Sequence, residues 1–314
     1  MKQKIKVGLA LGGGGARGLA HIGVLKALEE EKIPIHAIAG TSMGAVVGGA
    51  YAQRGDAREL ILLAHDLLDK FDLKSGWMKF LCHEEEKNKD KKESLLKELG
   101  YFVRRRLIYV VGASRISLEP QEKLMEPLRV ALKDEPMEKA QIPFAAVAID
   151  LVSGREVVIK KGSMILALYA SSSIEGIFPP LRIDNQLLSD GGVTSLVPVD
   201  AVRGLGANFV MAVNIPEIIR QETKFASGIE VILRADALTR DKLNQLMLKE
   251  CDVVITPEVR AIHWANFGKV DECIQKGYEA TRTKMREIKE KMEKRKSLWN
   301  KVRNNLAQAI AGKE

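Results

Sequence analysis

Residues 5–11, apolar but for Lys6 and Gly8, stop at four glycines, Gly12-Gly13-Gly14-Gly15, after which Leu19, Ile22, Leu25 and Leu28 recur with helical spacing through residues 17–31. A short apolar run ended by turn residues marks a buried strand, and recurrence at three marks a helix face, so the chain opens as strand, glycine loop, helix. The unit then repeats. Pro34 interrupts the pattern, residues 35–39 make a second short strand, and Gly40-Thr41-Ser42-Met43-Gly44 leads into a helix of small apolar residues reaching about Arg54. Asp56 caps a third helix through Lys70.

From 71 to 112 the periodicity blurs around an acidic and basic cluster, which is read as an inserted, mostly helical lobe. Regular texture returns with a helix near 119–132, strands at 144–149 and 156–159, and a helix around 165–172. Further strands are expected at 209–213 and 252–256, with helices between and after them. Strands alternating with helices imply an α/β fold, a mainly parallel sheet flanked by helices on both faces. Residues 271–310 are the longest helical candidate, with Met285, Ile288, Met292, Trp299, Val302, Leu306 and Ile310 close to one face. That stripe makes an amphipathic tail.

The chain has 314 residues, 46% of them hydrophobic and 29% charged, values of an ordinary folded protein and not of a disordered or collagen-like one. No apolar run approaches the ~20 residues of a spanning helix, and the lysine-containing start fits a first strand better than a signal peptide. Three scattered cysteines, Cys82, Cys251 and Cys273, suggest neither a disulfide framework nor a zinc site, so no metal is expected and a reducing cytoplasm fits best. The net charge of +8 is concentrated: residues 281–304 hold ten basic and three acidic side chains, +7 of the total. A neutral body with a basic end suits a localised anionic partner. The tail therefore fits peripheral contact with the inner face of a membrane, packing on the body or pairing with a second subunit being the alternatives. Nucleic acid is not expected, since the tail has few aromatics and no recognition motif.

Gly13-x-Gly15-x-x-Gly18 after a strand and before a helix is the setting of a dinucleotide fingerprint. That function requires an acidic residue ending the second strand, where this chain has Gly40-Thr41-Ser42. A P-loop fails too, because no Lys-Ser or Lys-Thr closes the glycines. No cofactor is expected. What remains is a nest of backbone N–H groups at a helix N-terminus, suited to an oxyanion. Gly40 to Gly44 has the G-x-S-x-G spacing of a nucleophile elbow, whose flanking glycines leave room for a strained serine backbone. Ser42 needs a base. His263 follows it in the chain but has no supporting motif, and His21 packs near the glycine loop. Asp190, followed by Gly191 and Gly192, is the other base on offer, although Asp-Gly-Gly in isolation reads most simply as a turn.

Taken together, Gly13-Gly14-Gly15-Ala16-Arg17-Gly18, the elbow from Gly40 to Gly44 and Asp190-Gly191-Gly192 resemble the patatin-like phospholipase family, in the family's order. The likeness to its compact bacterial members extends through residues 172–180, Val197-Pro198-Val199 and 255–278, covering about residues 5–280. It implies a catalytic domain at 1–280 with the insertion at about 71–112, and a basic amphipathic helical tail at 281–314. It also implies a Ser–Asp dyad, with Ser42 as nucleophile, Asp190 as general base and the amides of Gly13, Gly14 and Gly15 as oxyanion hole. Arg17, Gly18, Gly40, Gly44, Gly191 and Gly192 support them, Arg17 by anchoring the loop or meeting an anionic head group. The expected substrate is a lipid acyl ester, a phospholipid or lysophospholipid. A soluble carboxylesterase, thioesterase or acyltransferase on the same dyad, and a non-catalytic protein that retains the fold, are the rivals. Two positions depart from the family pattern: Gly12, where relatives have Asp or Ser, and Glu175, where proline is common.

Overall fold

The computed structural model describes residues 4–71, 115–216, 219, 223, 225 and 227–311 of the chain. The lobe expected at about 71–112 lies, but for Phe71, outside the described residues.

The sheet has eight strands: β1 (Val7–Leu11), β2 (Ala37–Thr41), β3 (Phe144–Asp150), β4 (Arg155–Ile159), β5 (Leu181–Ile183), β6 (Gln186–Asp190), β7 (Phe209–Val213) and β8 (Val253–Ile255). Their order is β5-β6-β3-β2-β1-β7-β8, with β4 also paired to β3. The path from β3 through β8 is parallel, whereas β4, β5 and β6 join antiparallel, so the sheet is mixed and mainly parallel. Helices α1 (Ala20–Glu30), α2 (Met43–Arg54), α3 (Ala57–Lys70), α4 (Glu122–Ala131), α5 (Met164–Ser172), α6 (Val199–Arg203), α7 (Gly228–Leu248) and α8 (Val270–Ala311) surround it.

Side-chain alternation makes the two faces unequal. Val7, Leu9, Leu11, Ile38, Phe209, Met211 and Val213 project into a thick core shared with α1, α2, α3, α5 and α8. The opposite face carries Ala10, Ala37, Ala39, Ala145 and Ala212, a thin layer on which α6 lies close. Parallel strands buried on both sides read as continuous apolar runs, which is why β1 and β3 were legible without alternation.

The structure differs from the sequence expectations at several edges. The helix expected from residue 17 divides into a 3-10 turn, Gly15–Leu19, and α1, which starts at Ala20. The Ala16 amide is bonded to the Trp264 carbonyl at 2.6 Å, and Gly15 has φ 57°, so the loop winds too tightly there for an α-turn. β2 lies two residues later than expected, pairing with β1 from Gly8 opposite Ala37. β5 and β6 were not foreseen as strands. They are short, and the turn between them sets Asp184 at φ 50°.

α8 runs unbroken through residue 280. Met285, Ile288 and Met292 of its stripe are buried in the main core, and side chains beyond residue 297 lie outside the described ones. Most of its described cations are engaged at home: Arg282 and Lys289 pair with Glu31, Arg295 with Asp252, and Lys284, Arg286, Lys291 and Lys296 with glutamates of the same helix. Packing on the body, one of the alternatives open from the sequence, is what this part of the tail does. Among the described residues no helix is long and apolar enough to cross a membrane.

Candidate active site

The glycine loop and the elbow both leave the carboxyl ends of parallel strands, since Leu11 lies opposite Gly40 in the β1–β2 ladder. That end of an open α/β sheet is where ligands bind. Ser42 follows β2 directly and caps α2 with φ 54° and ψ −128°, a backbone cost of order 1–3 kcal/mol for a residue with a Cβ. The surroundings hold it there. Its amide donates to the Ser171 carbonyl at 3.0 Å and lies 3.1 Å from the Ser171 hydroxyl, which itself donates to the Val147 carbonyl at 2.6 Å. The steric reason for the flanking glycines is direct: a Cβ on Gly44 would lie 2.2 Å from the Leu11 carbonyl oxygen, and one on Gly40 would lie 2.4 Å from that of Gly44.

Strand register brings Asp190 to the same spot. β2 pairs with β3 as far as Thr41 opposite Val147, and then turns away into α2. From Ala148 onward the same edge of β3 is taken by β6, with Asp190 opposite Ala148. Asp190 thus continues the ladder one step beyond the residue before Ser42, although the two lie far apart in sequence. It is 6% exposed, with Oδ1 accepting from the Gly192 amide at 2.8 Å. Burial, and secondly the negative charge of Glu175, raise its pKa from 3.8 to about 7, against the opposing pull of hydrogen bonding from Ser42 and Gly192 and of the charge on Arg240. A carboxyl balanced near neutrality beside a buried serine hydroxyl is arranged for proton transfer.

The loop amides are not equivalent. Gly12 donates to the Val213 carbonyl and Gly13 to the Leu196 carbonyl, each at 3.0 Å. The amides of Gly14 and Gly15 have no backbone acceptor among the described residues, and both glycines face the cavity that holds Ser42 and Asp190. Arg17 is buried and binds the Gly14 carbonyl and the Pro216 carbonyl, both at 3.3 Å, which makes it an anchor of the loop. Gly18 leaves room for Met43, whose Cγ would be 2.6 Å from a Cβ there. Met43, next after the elbow serine at the N-terminus of α2, carries a further amide that elbow geometry makes a candidate donor and that the sequence reading did not name. A Cβ on Gly191 would lie 2.4 Å from the Val147 carbonyl oxygen.

Neither histidine enters the chemistry by geometry. His21 is wholly buried, its Nε2 2.7 Å from the Gly12 carbonyl, and burial lowers its pKa to about 4, so it is a neutral brace for the loop. His263 accepts from the Ala265 amide through Nδ1 at 3.2 Å and lines neither cavity at Ser42.

Two cavities meet at Ser42. One, of about 180 Å³, is lined almost wholly by apolar groups, among them Val46, Leu60, Ala64, Leu67, Leu124 and Phe178 of α2, α3, α4 and the loop after α5. The other, of about 220 Å³, is the more polar of the two, with a mixed lining that holds Asp190, Glu175, Arg240 and Asn244 besides the glycine loop. Trp264 and Ile174 border both. Glu175 stands at the rim with its pKa raised, chiefly by desolvation. The α7 side chains have no sequence signal tying them to a site. Among the described residues no group of three or more His, Cys, Asp or Glu side chains could hold a metal ion.

A mixed, mainly parallel sheet thus carries a strained serine and a buried aspartate together at one end. The family model of patatin-like phospholipase matches residues 9–203, and the chain belongs to that family. A protein of Mycobacterium bovis described as an uncharacterized NTE family protein is 34% identical over 210 residues, covering 67% of this chain and 49% of its own. Human patatin-like phospholipase domain-containing protein 6 is 31% identical over 211 residues, 67% of this chain and 13% of its own. The chain therefore spans about half the length of the mycobacterial relative and far less of the human one. The crystal structure of VipD from Legionella pneumophila aligns over 90% of this chain and 67% of its own, with 14% identity and a TM-score of 0.48.

Proposed function

We propose that this chain is a serine acyl hydrolase that cleaves acyl esters of phospholipids or lysophospholipids through a Ser42–Asp190 dyad. The observation that carries it is the place of Ser42 at the junction of an apolar and a polar cavity. An acyl ester has the same division: the acyl chain fits the apolar side, and the glycerol and head group fit the polar side that Asp190 shares.

In this reading the Asp190 carboxylate takes the Ser42 hydroxyl proton as Oγ attacks the acyl carbonyl. The amides of Gly14, Gly15 and Met43 stabilise the oxyanion, while Gly13, bonded to Leu196, shapes the loop. Losing one such donor typically costs about 3–4 kcal/mol in barrier. The tetrahedral species collapses, the alcohol leaves into the polar cavity with the proton from Asp190, and the acyl group stays on Ser42. Water then gives its proton to Asp190 and attacks the ester, releasing the fatty acid and restoring the serine. Residues 1–280 form the catalytic unit, and the described side chains of the 281–314 segment, those up to residue 297, brace it.

The test is hydrolysis of a lipid panel by wild type, Ser42→Ala, Asp190→Asn and His263→Ala, with product masses and fluorophosphonate labelling. Labelling confined to chains with Ser42, turnover lost in the first two variants and kept in His263→Ala, is expected. Full turnover in Asp190→Asn together with loss in His263→Ala would replace the dyad by a triad. Turnover of short soluble esters alone, with no phospholipid cleaved, would replace the lipid substrate by a carboxylesterase's.

A further inference from the structure

Helix α7 is amphipathic the wrong way round for a helix lying on a protein body in water. Its inward positions are mainly polar: Arg240, Asp241 and Asn244, with Ala237, line the cavity of Ser42 and Asp190, and Asn244 is the helix's one buried residue. Its exposed positions are rich in large apolar side chains, with Asp236, Thr239, Lys242 and Gln245 exposed among them. Of the thirteen large hydrophobic side chains exposed among the described residues, eight lie between Phe225 and Leu246. Ile232, Ala235, Thr239, Leu243 and Leu246 follow one another at spacings of three and four along the side opposite Asn244, with Ile232 68% exposed. A run of this kind marks an interaction site, because isolated exposed apolar residues are normal and a contiguous strip is not.

We infer that this outer face of α7 docks on the surface of a phospholipid bilayer. Position decides between occupants. The opposite side of the same helix lines the cavity of Ser42 and Asp190, so a surface meeting the outer face lies about one helix diameter, ~10 Å, from the site that the substrate must reach. On the lipid-hydrolase reading, on which this inference rests for the identity of the surface, that substrate is itself part of a bilayer. Lys242 and Lys249 flank the strip, exposed and without an ion-pair partner among the described residues, a placement suited to lipid phosphates. The basic tail, most of whose described cations are paired with carboxylates of the body and of its own helix, is left as a brace.

The experiment uses the full chain with Ser42→Ala, so that vesicles stay intact, and measures flotation with phosphatidylcholine vesicles with and without phosphatidylglycerol. The same chain with Ile232→Ser, Leu243→Ser and Leu246→Ser is compared. Its affinity should fall by at least about a hundredfold, counting about tenfold for each withdrawn side chain and allowing for incomplete insertion. In the Ser42-intact protein the same three changes should leave hydrolysis of a short soluble ester and the circular dichroism spectrum unchanged. Failure of the parent chain to bind either vesicle, or unchanged affinity in the triple variant, overturns the inference. So does a dimer that the three changes convert to monomer without loss of vesicle binding, since the strip is then an interface between copies. Vesicle binding by a chain whose Ser42 takes no fluorophosphonate would sink the hydrolase reading and leave the docking face standing.

Discussion

The buried Asp190 carboxyl should cost the folded protein stability in return for its role, and the cost should depend on pH. Its pKa is raised from the ordinary 3.8 to about 7, above the value in the unfolded chain. Between those two values the folded state holds a proton that the unfolded state has released, so stability falls as pH rises through the window. Below about pH 4 both states are protonated and nothing is lost; above about pH 7 the loss is complete. At 1.36 kcal/mol for each pH unit, the gap between 3.8 and about 7 corresponds to about 4 kcal/mol. Asparagine is close in shape and carries no charge to desolvate, and its side-chain oxygen can still accept from the Gly192 amide. Urea unfolding from pH 4 to 8.5, followed by circular dichroism, should give curves for wild type and Asp190→Asn that run together at the acid end. They should separate as pH rises, with the inactive variant the more stable by about 4 kcal/mol at pH 8.5. Parallel curves across the whole range would mean that the carboxyl is not held near neutrality by burial.

Two further outcomes follow from the same geometry. Because Glu175 adds to the upward pull on Asp190, Glu175→Gln should move the alkaline-rising limb of kcat/KM for a short ester to lower pH, with a severalfold gain near pH 5.5; an unmoved midpoint would dissociate the two carboxylates. Ala64→Phe fills part of the apolar cavity, and excluding two or three methylenes at about 0.8 kcal/mol each is about 2 kcal/mol, so kcat/KM for long-chain esters should drop about thirtyfold while short-chain esters are unaffected. Equal losses on both would show that the cavity does not receive the acyl chain.

What the sequence disclosed was what its local spacing dictates. The glycine loop and the elbow are each confined to a few consecutive residues, and steric demand leaves a mark at fixed offsets from Ser42. Asp190 was visible as a candidate only through its company, because a three-residue and a five-residue strand joined by a tight turn are too short for a periodic pattern. Its meeting with Ser42 depends on which edge of β3 is left open when β2 turns away, a fact of register and not of composition. The division of the site into two cavities was hidden for the same reason, since α2, α3, α4 and α7 reach it from widely separated segments. The tail was legible as a helix but not in its orientation. Its charge excess suggested an anionic surface, whereas Glu31 and Asp252, remote in sequence, take up its cations.

One crossing near the end of the chain has a reach beyond its own contacts. A Cβ on Gly23 of α1 would lie 1.8 Å from the Ile274 carbonyl oxygen, and one on Gly277 of α8 would lie 1.9 Å from that of Ala20. The two helices therefore touch main chain to main chain, and α1 is the helix that the glycine loop feeds. Bulk introduced at either residue would act as a wedge whose far end is the oxyanion cradle, so that harm to turnover could originate at a position with no view of the substrate.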